Sequence, residues 1–263
     1  MSRAQAHALS ETTDPPHPDG GPLVGDPSPG FGVCRFCCGP TQPGYRRCFC
    51  CATVAARLGM PLVPVVSVTT YRLGDEIHRT LRRYKDSPSV ATRRGAVDRC
   101  AGLLAAFVDR HRGCIETVSG GPWDTVVTVP SSTRAARWPV DAVVGAVASL
   151  AADHRRLLVR GTGPMDHLQA SRSGFVVDPA IDQTALRRRR ALVVDDSYTT
   201  GARAQSAATA LRLVGMEVGA IVVLGRVVAP RSCPWHAAFW AAHVAGPASG
   251  HKVGCPGSVR ARA

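Results

Sequence analysis

The chain has 263 residues, of which 45% are hydrophobic, and it carries a formal net charge of +13. This length holds one α/β domain of ordinary size with a small appendage, and the apolar fraction is ample for a core. No run of about 18 apolar residues occurs, so no membrane insertion is predicted. The positive charge predicts attraction to polyanions such as nucleic acid, unless it reflects an arginine-rich composition whose charge is simply solvated.

The N-terminal segment, residues 1–30, is rich in proline, glycine, aspartate and threonine and shows no hydrophobic period. Such a segment buries too little apolar surface to offset the entropy of ordering, so a disordered tail is predicted. A small zinc ribbon is predicted next, over residues 31–58.

Two C-x-x-C pairs separated by ten residues define this ribbon. They are formed by Cys34, Cys37, Cys48 and Cys51. Four thiolates at this spacing can surround one zinc ion tetrahedrally. The alternative is a set of disulfides or redox-active dithiols. No signal peptide is recognised before the cluster, so a cytoplasmic location with reduced thiols is expected, which favours zinc. Cys38 and Cys50 can replace Cys37 or Cys51 as ligands, so the site is better defined than its members.

Beyond the ribbon, apolar runs alternate with segments of helical spacing. Strands are predicted at 63–68, 125–129, 156–159, 192–194 and 220–224. Helices are predicted at 52–58, 75–84, 89–111 and 139–152, with another from Ala202 to a stop at Gly215. This alternation predicts an α/β domain with a mostly parallel sheet over residues 59–230. Residues 231–263 are predicted to form an irregular C-terminal tail.

The most informative segment runs from Ala191 to Ala202 and reads Ala-Leu-Val-Val-Asp-Asp-Ser-Tyr-Thr-Thr-Gly-Ala. An apolar strand leads into two adjacent acids, a hydroxyl-rich loop with a glycine, and a helix. Carboxylates at the strand end can hold sugar hydroxyls, and the loop and helix N-terminus offer backbone N–H groups to a phosphate. Alternatively, the acids merely cap the helix and Thr-Thr-Gly is ordinary turn chemistry. The two halves together, directly after a buried strand, favour a sugar-phosphate site.

This segment, from Val193 to Gly201, resembles the phosphoribosyl-pyrophosphate (PRPP) loop of type I phosphoribosyltransferases. The resemblance implies that a catalytic pair, Asp195 and Asp196, holds the ribose 2′- and 3′-hydroxyls. It also implies that the 5′-phosphate is surrounded by Ser197, Tyr198, Thr199, Thr200, Gly201 and Ala202. Where the family usually has a second hydroxyl residue, this chain has Arg203, whose guanidinium can still contact phosphate.

A short zinc ribbon followed by such a domain resembles the ComF family, from about Cys34 to Val228. The implied fold is the mostly parallel α/β sheet of type I phosphoribosyltransferases with a small N-terminal zinc ribbon. The implied ligands are PRPP, a nucleobase-like acceptor, Mg²⁺ carried with PRPP, and a structural Zn²⁺. Two further segments, residues 71–86 and 124–130, agree with the family. Pyrophosphate is expected near Lys85, Ser131, Ser132 and Arg160.

The sequence therefore favours a transferase that moves a phosphoribosyl group to or from a nitrogenous acceptor, with Mg-pyrophosphate as the leaving group. A non-catalytic PRPP or nucleotide sensor stays open, because Ser131-Ser-Thr-Arg-Ala-Ala-Arg137 replaces the family's usual Arg-Gly-Phe-Asn-Gln run. A third hypothesis is a nucleic-acid-associated protein of the DNA-uptake (competence) type, which would use the ribbon and the basic surface.

Overall fold

The structure is a computed structural model that describes residues 27, 31–131 and 139–244. The predicted disordered tail lies outside the described residues except for Pro27, and so do residues 245–263 of the predicted C-terminal tail. Ser132, expected near pyrophosphate, also lies outside them.

Strands and helices alternate through most of the described chain, as the sequence predicts. The strands are β1 (Val65–Tyr71), β2 (Thr125–Thr128), β3 (Leu158–Arg160), β4 (Phe175–Val177), β5 (Arg190–Tyr198) and β6 (Glu217–Val227). The helices are α1 (Phe49–Leu58), α2 (Glu76–Asp86), α3 (Val90–Ser119), α4 (Pro139–Gly145), α5 (Ala148–Ala151), α6 (Ala202–Leu213) and α7 (Pro234–His243). Within the described residues, a parallel sheet has the order β1-β6-β5-β2, and β3 pairs with β4 in a separate antiparallel hairpin. The chain is thus an α/β protein with a mostly parallel sheet.

Strand β5 lies inside this sheet, between β6 and β2. Its residues 191–194 are 0% exposed, as expected for a parallel strand covered on both faces. The sequence predicts a strand only over 192–194, but β5 continues because Asp195 and Ser197 keep partners at Val223 and Gly225 of β6. The two acids therefore belong to the carboxyl-terminal part of a strand rather than to a loop.

The two faces of the sheet are covered by different elements. Leu192 and Val194 belong to the apolar cluster formed with α2, α3 and α4, whereas Ala191 and Val193 belong to the cluster formed with α1, α6 and the β3–β4 hairpin. Successive side chains of a strand alternate between faces. Because of this alternation, Asp195 and Asp196 point to opposite faces of the sheet, at its carboxyl edge.

The helix predicted over 139–152 is interrupted. Helix α4 ends at Gly145, and Val147 adopts extended dihedral angles (φ −99°, ψ 104°) before α5 begins. The N–H groups of Ala146 and Val147 donate to the carbonyls of Val143 and Val144, which closes the end of α4 in a tight turn. Short elements of this kind, like the three-residue β4 that sequence patterns do not reveal, depend on tertiary contacts.

The C-terminal region differs from the predicted irregular tail, because residues 234–243 form helix α7. Pro234 occupies the first turn, where its missing N–H group leaves no helical bond unmade. The helix buries Phe239 in a small cluster with Val33, Cys38 and Val228, which joins it to the cysteine-rich segment and the end of β6. Among the described residues, no helix combines the length and apolar character that crossing a membrane requires.

Candidate functional site at the carboxyl edge of the sheet

A cavity of about 340 Å³ opens at the carboxyl ends of β2 and β5. Its described lining includes predicted site residues from four parts of the chain, namely Lys85, Ser131, Asp195, Asp196 and Arg203. Open α/β sheets bind ligands at this edge, where strand ends and helix N-termini converge. The structure thus brings together residues that are more than a hundred positions apart in sequence.

Asp196 is 2% exposed and lies against α2. The Tyr84 hydroxyl donates to its Oδ2, and the Lys85 ammonium forms an ion pair with the same oxygen. The Ser197 hydroxyl donates to Oδ1 at 3.0 Å. Burial alone would raise the pKa of Asp196, but the Lys85 ammonium and the Tyr84 hydroxyl hold that pKa below its usual value. Asp196 is therefore a buried carboxylate that stays ionised.

Asp195 is 3% exposed and has a different environment. Its Oδ1 accepts from the backbone N–H of Asp196 at 2.9 Å. Burial, and then the neighbouring Asp196 charge, raise the pKa of Asp195 to about 7, although Arg203 and Lys85 oppose the shift. The pair therefore holds one firmly ionised carboxylate beside one that changes its protonation near neutral pH.

The loop after β5 leads into the N-terminus of α6. Gly201 is the N-cap residue and has a φ of 82°, in the left-handed region that favours glycine. It provides no side-chain cap for the helix, although the Thr200 hydroxyl accepts from the N–H of Ala202 at 3.4 Å. The first turn of a helix has N–H groups without intrahelical partners and attracts anions. This loop is suited to a phosphate group.

Arg203, in the first turn of α6, connects this loop to the segment that follows β2. Its Nη2 donates to the carbonyl of Pro130 at 2.8 Å, and its Nε is buried without a hydrogen-bond partner among the described residues. The neighbouring Ser131 lines the cavity. Arg203 therefore places a positive charge between the predicted phosphate and pyrophosphate regions.

Part of the predicted ligand set is not among the described residues that line this cavity, including Arg160, Tyr198 and Thr199. Arg160 belongs to β3, and its guanidinium donates to the backbone carbonyls of Gly163 (2.8 Å) and Gly174. It is not among the described residues that line the cavity. Tyr198 and Thr199 instead line a second cavity of about 530 Å³ beside the cysteine-rich segment.

Tyr84 is a site residue that the sequence hypothesis does not include. Helix α2 buries Ile77, Thr80, Leu81 and Tyr84. These positions follow the three- and four-residue spacing of one helix face, so the pattern predicts that Tyr84 points inward. Nothing in the sequence indicates that its hydroxyl meets Asp196, which is 112 residues away.

The cysteine cluster has the geometry of a metal site. The sulfur atoms of Cys34, Cys37, Cys48 and Cys51 all lie within 4.8 Å of one another. Cys37 Sγ and Cys48 Sγ are 3.8 Å apart. A tetrahedron with centre-to-corner distances of about 2.3 Å, the Zn–S bond length, has edges of roughly that size. The four residues predicted from sequence can therefore hold a structural zinc ion.

The surroundings of these thiols agree with thiolate ligands. The backbone N–H of Cys48 donates to Cys34 Sγ at 3.3 Å, and the N–H of Cys51 donates to Cys48 Sγ at 3.4 Å. The four thiols also act on one another: hydrogen bonds, first from Cys37, lower the pKa of the Cys34 thiol, whereas hydrogen bonds with Cys34 raise the pKa of the Cys37 and Cys51 thiols. Cys38 and Cys50 do not belong to the quartet. With four sulfur donors the site has no open position for a substrate, as in structural zinc sites.

Comparisons with known proteins place few limits on the function. No protein-family model and no curated protein sequence matches the chain. Among solved structures, adenine phosphoribosyltransferase from Leishmania tarentolae aligns at 13% identity, covering 62% of this chain and 91% of that chain, with a TM-score of 0.34. A likeness of this extent carries no argument about the site, so the functional case rests on the chain's own residues.

Proposed function

We propose that the cavity at the ends of β2 and β5 binds PRPP and that the protein is a phosphoribosyltransferase acting on a nitrogenous, nucleobase-like acceptor. The observation that carries the proposal is the buried Asp195–Asp196 pair, which lies between the Lys85 ammonium and the N-terminus of α6. Carboxylates, a cation and free helical N–H groups are the groups that recognise ribose hydroxyls, pyrophosphate and phosphate, respectively.

In this assignment, each part of the ligand meets one part of the site. The ribose 2′- and 3′-hydroxyls donate to the carboxyl oxygens of Asp195 and Asp196. The 5′-phosphate lies against the backbone of residues 197–201 and the first turn of α6, where peptide dipoles favour an anion. The pyrophosphate lies toward Lys85 and Ser131, which line the same cavity.

Transfer breaks the bond between C1 of the ribose and pyrophosphate, which leaves with the bonding electron pair. The acceptor nitrogen supplies the electron pair of the new bond to C1. Positive charge develops on the sugar as the leaving bond lengthens, and the ionised Asp196 carboxylate stabilises it electrostatically. Asp195 and Ser131 line the same cavity and carry oxygen donors of the kind Mg²⁺ prefers, so they would hold a magnesium ion, which would neutralise charge on the leaving group.

A non-catalytic PRPP sensor is the second candidate. One observation favours it: the Lys85 ammonium is engaged with Asp196, and the Arg203 guanidinium with the carbonyl of Pro130. Cations held in this way can contribute to ligand binding without moving to follow a leaving group.

Isothermal titration calorimetry with PRPP and Mg²⁺ tests the binding site. The wild type should bind, and the double variant Asp195→Asn/Asp196→Asn should lose binding while its circular dichroism spectrum stays unchanged. Asp124→Asn is the matched control, because Asp124 lies at the opposite end of β2 and contacts Arg189. Binding that survives in the double variant would refute the assignment of the cavity.

Pyrophosphate release then distinguishes transferase from sensor. Wild-type protein is incubated with PRPP, Mg²⁺ and each of a panel of purine and pyrimidine bases. Release that depends on one base and is absent in the double variant identifies a transferase. PRPP binding without release for any base supports the sensor.

A further inference from the structure

Tyr198 belongs to the segment predicted to surround phosphate. Its ring, however, lines the cavity beside the cysteines and not the cavity that contains Asp195 and Asp196. It is 3% exposed and packs in the apolar cluster that contains Cys34, Cys37 and Cys51. Tyr198 also lines the same cavity as Cys37, Cys48 and Arg226. The ring therefore connects the loop to the cysteine quartet.

The same ring packs directly on Gly201. A Cβ atom on Gly201 would lie 2.1 Å from the Tyr198 hydroxyl oxygen and 2.4 Å from Cζ, closer than any real Cβ contact. Gly201 is also the N-cap residue of α6. The position of the Tyr198 ring and the direction of the first turn of α6 are therefore linked.

Arg226, on β6, lies between this ring and the first cysteine pair. It is 2% exposed, its Cζ is 5.2 Å from the centroid of the Tyr198 ring, and its Nη2 donates to Ser67 Oγ at 2.9 Å. A Cβ atom on Gly39, just after the cysteine pair, would lie 3.2 Å from Arg226 Nη1. Four thiolates around Zn²⁺ carry a net charge of about −2, so the Arg226 cation is well placed to stabilise the loaded cluster.

We propose that Tyr198 is a positioning residue through which the metal-loaded cysteine quartet holds Gly201 and the start of α6 in the conformation that receives an anion. Neighbouring groups run from Gly39, beside the first cysteine pair, through Arg226 and the Tyr198 ring to Gly201. Metal loss removes the charge that Arg226 faces and loosens the packing of the ring, so the loop becomes mobile. The consequence for PRPP rests on the proposed function, but the coupling between cysteines and loop does not.

Hydrogen exchange followed by mass spectrometry tests the coupling without any ligand. In the wild type, removal of zinc with a chelator should speed exchange of a peptide covering residues 197–202 by about tenfold, while β2 (Thr125–Thr128) stays protected. In Tyr198→Leu the loop should exchange fast with zinc bound, and chelation should add little. Tyr198→Phe keeps the ring and should behave as the wild type.

The rate of zinc release to a colorimetric chelator tests the same link in the reverse direction. Tyr198→Leu should release zinc about tenfold faster than the wild type, because losing the ring weakens the loaded quartet and such losses of affinity appear mostly in the dissociation rate. Tyr45→Leu is the matched control, because Tyr45 lies between the cysteine pairs but is 63% exposed.

The two measurements decide the proposal together. If chelation also deprotects β2, the whole domain has opened, and the release rates alone decide. Equal release from Tyr198→Leu and Tyr45→Leu, or an unchanged loop after zinc is lost, would overturn the coupling. Failure of the wild type to bind PRPP would refute only the proposed function and would leave the coupling between cysteines and loop unaffected.

Discussion

Replacing Gly201 with alanine isolates the contact between the Tyr198 ring and the start of α6. Two costs follow from the structure. A residue with a Cβ atom at a φ of 82° loses about 1 kcal/mol or slightly more in the left-handed region. The new Cβ would also lie 2.1 Å from the Tyr198 hydroxyl, so the ring or the helix start must move by roughly 1 Å, and such overpacking typically costs about 1–3 kcal/mol. We expect a total loss of about 2–4 kcal/mol in the free energy of unfolding.

Urea unfolding measures this loss, and Gly215→Ala is the matched control. Gly215 has a φ of 88°, but its Cβ would meet Arg187, closest to the flexible side chain at Cγ (3.3 Å), so we expect a loss of about 1 kcal/mol. Adding Tyr198→Leu to Gly201→Ala should remove the overlap, so the double variant should lose less than the sum of the two single losses. Equal losses from Gly201→Ala and Gly215→Ala, or strictly additive losses in the double variant, would refute the reasoning.

Three further predictions concern the charged groups and the metal site. Because burial and the Asp196 charge raise the pKa of Asp195 from 3.8 to about 7, its protonated form stabilises the native state at low pH, and this stability is lost as the pH rises from about 4 through 7. The melting temperature of Asp195→Asn minus that of the wild type should therefore increase as the pH rises over this range. A difference in melting temperature that does not change with pH would contradict the raised pKa of Asp195. Lys85→Met should lower the free energy of unfolding at pH 7 by up to about 3 kcal/mol in urea titrations, since it leaves the buried Asp196 without its cation; a loss no larger than that of Lys85→Arg would argue against the ion pair. Cys34→Ser should reduce zinc content measured by plasma mass spectrometry, whereas Cys50→Ser should retain it, and equal loss in both would remove the assignment of the quartet.

Local patterns in the sequence predict much of this fold. The strand predicted at 192–194 and the helix predicted from Ala202 are both present in the structure. Each is predicted by a pattern among neighbouring residues, a short apolar run for the strand and helical spacing for the helix. The four cysteines are likewise identified by spacing, and the structure brings their sulfur atoms together.

What the sequence does not reveal depends on distant partners. Strand β5 extends through Asp195 and Asp196 although acids are poor strand formers, because β6 pairs with Asp195 and Ser197. The partners of Asp196 on α2 and the turning of the Tyr198 ring toward the cysteines involve residues far apart in sequence. The sequence likewise does not reveal that the Arg160 guanidinium donates to the backbone carbonyls of Gly163 and Gly174.

The strand order affects how the protein folds during its synthesis on the ribosome. The neighbour of β1 in the sheet is β6, so that Val65 pairs with Ile221. While the chain is being made, β1 emerges early and waits with an unpaired edge until nearly all the later elements have been synthesised, and such long-range parallel pairing is slow. The cysteine segment has no such delay, because its ligands lie within residues 34–51 and a zinc ion can close it at once. We therefore expect nascent chains to have a metal-bound cysteine segment while the edge of β1 is still unpaired. During this stage of synthesis the chain is most exposed to aggregation and most dependent on chaperones.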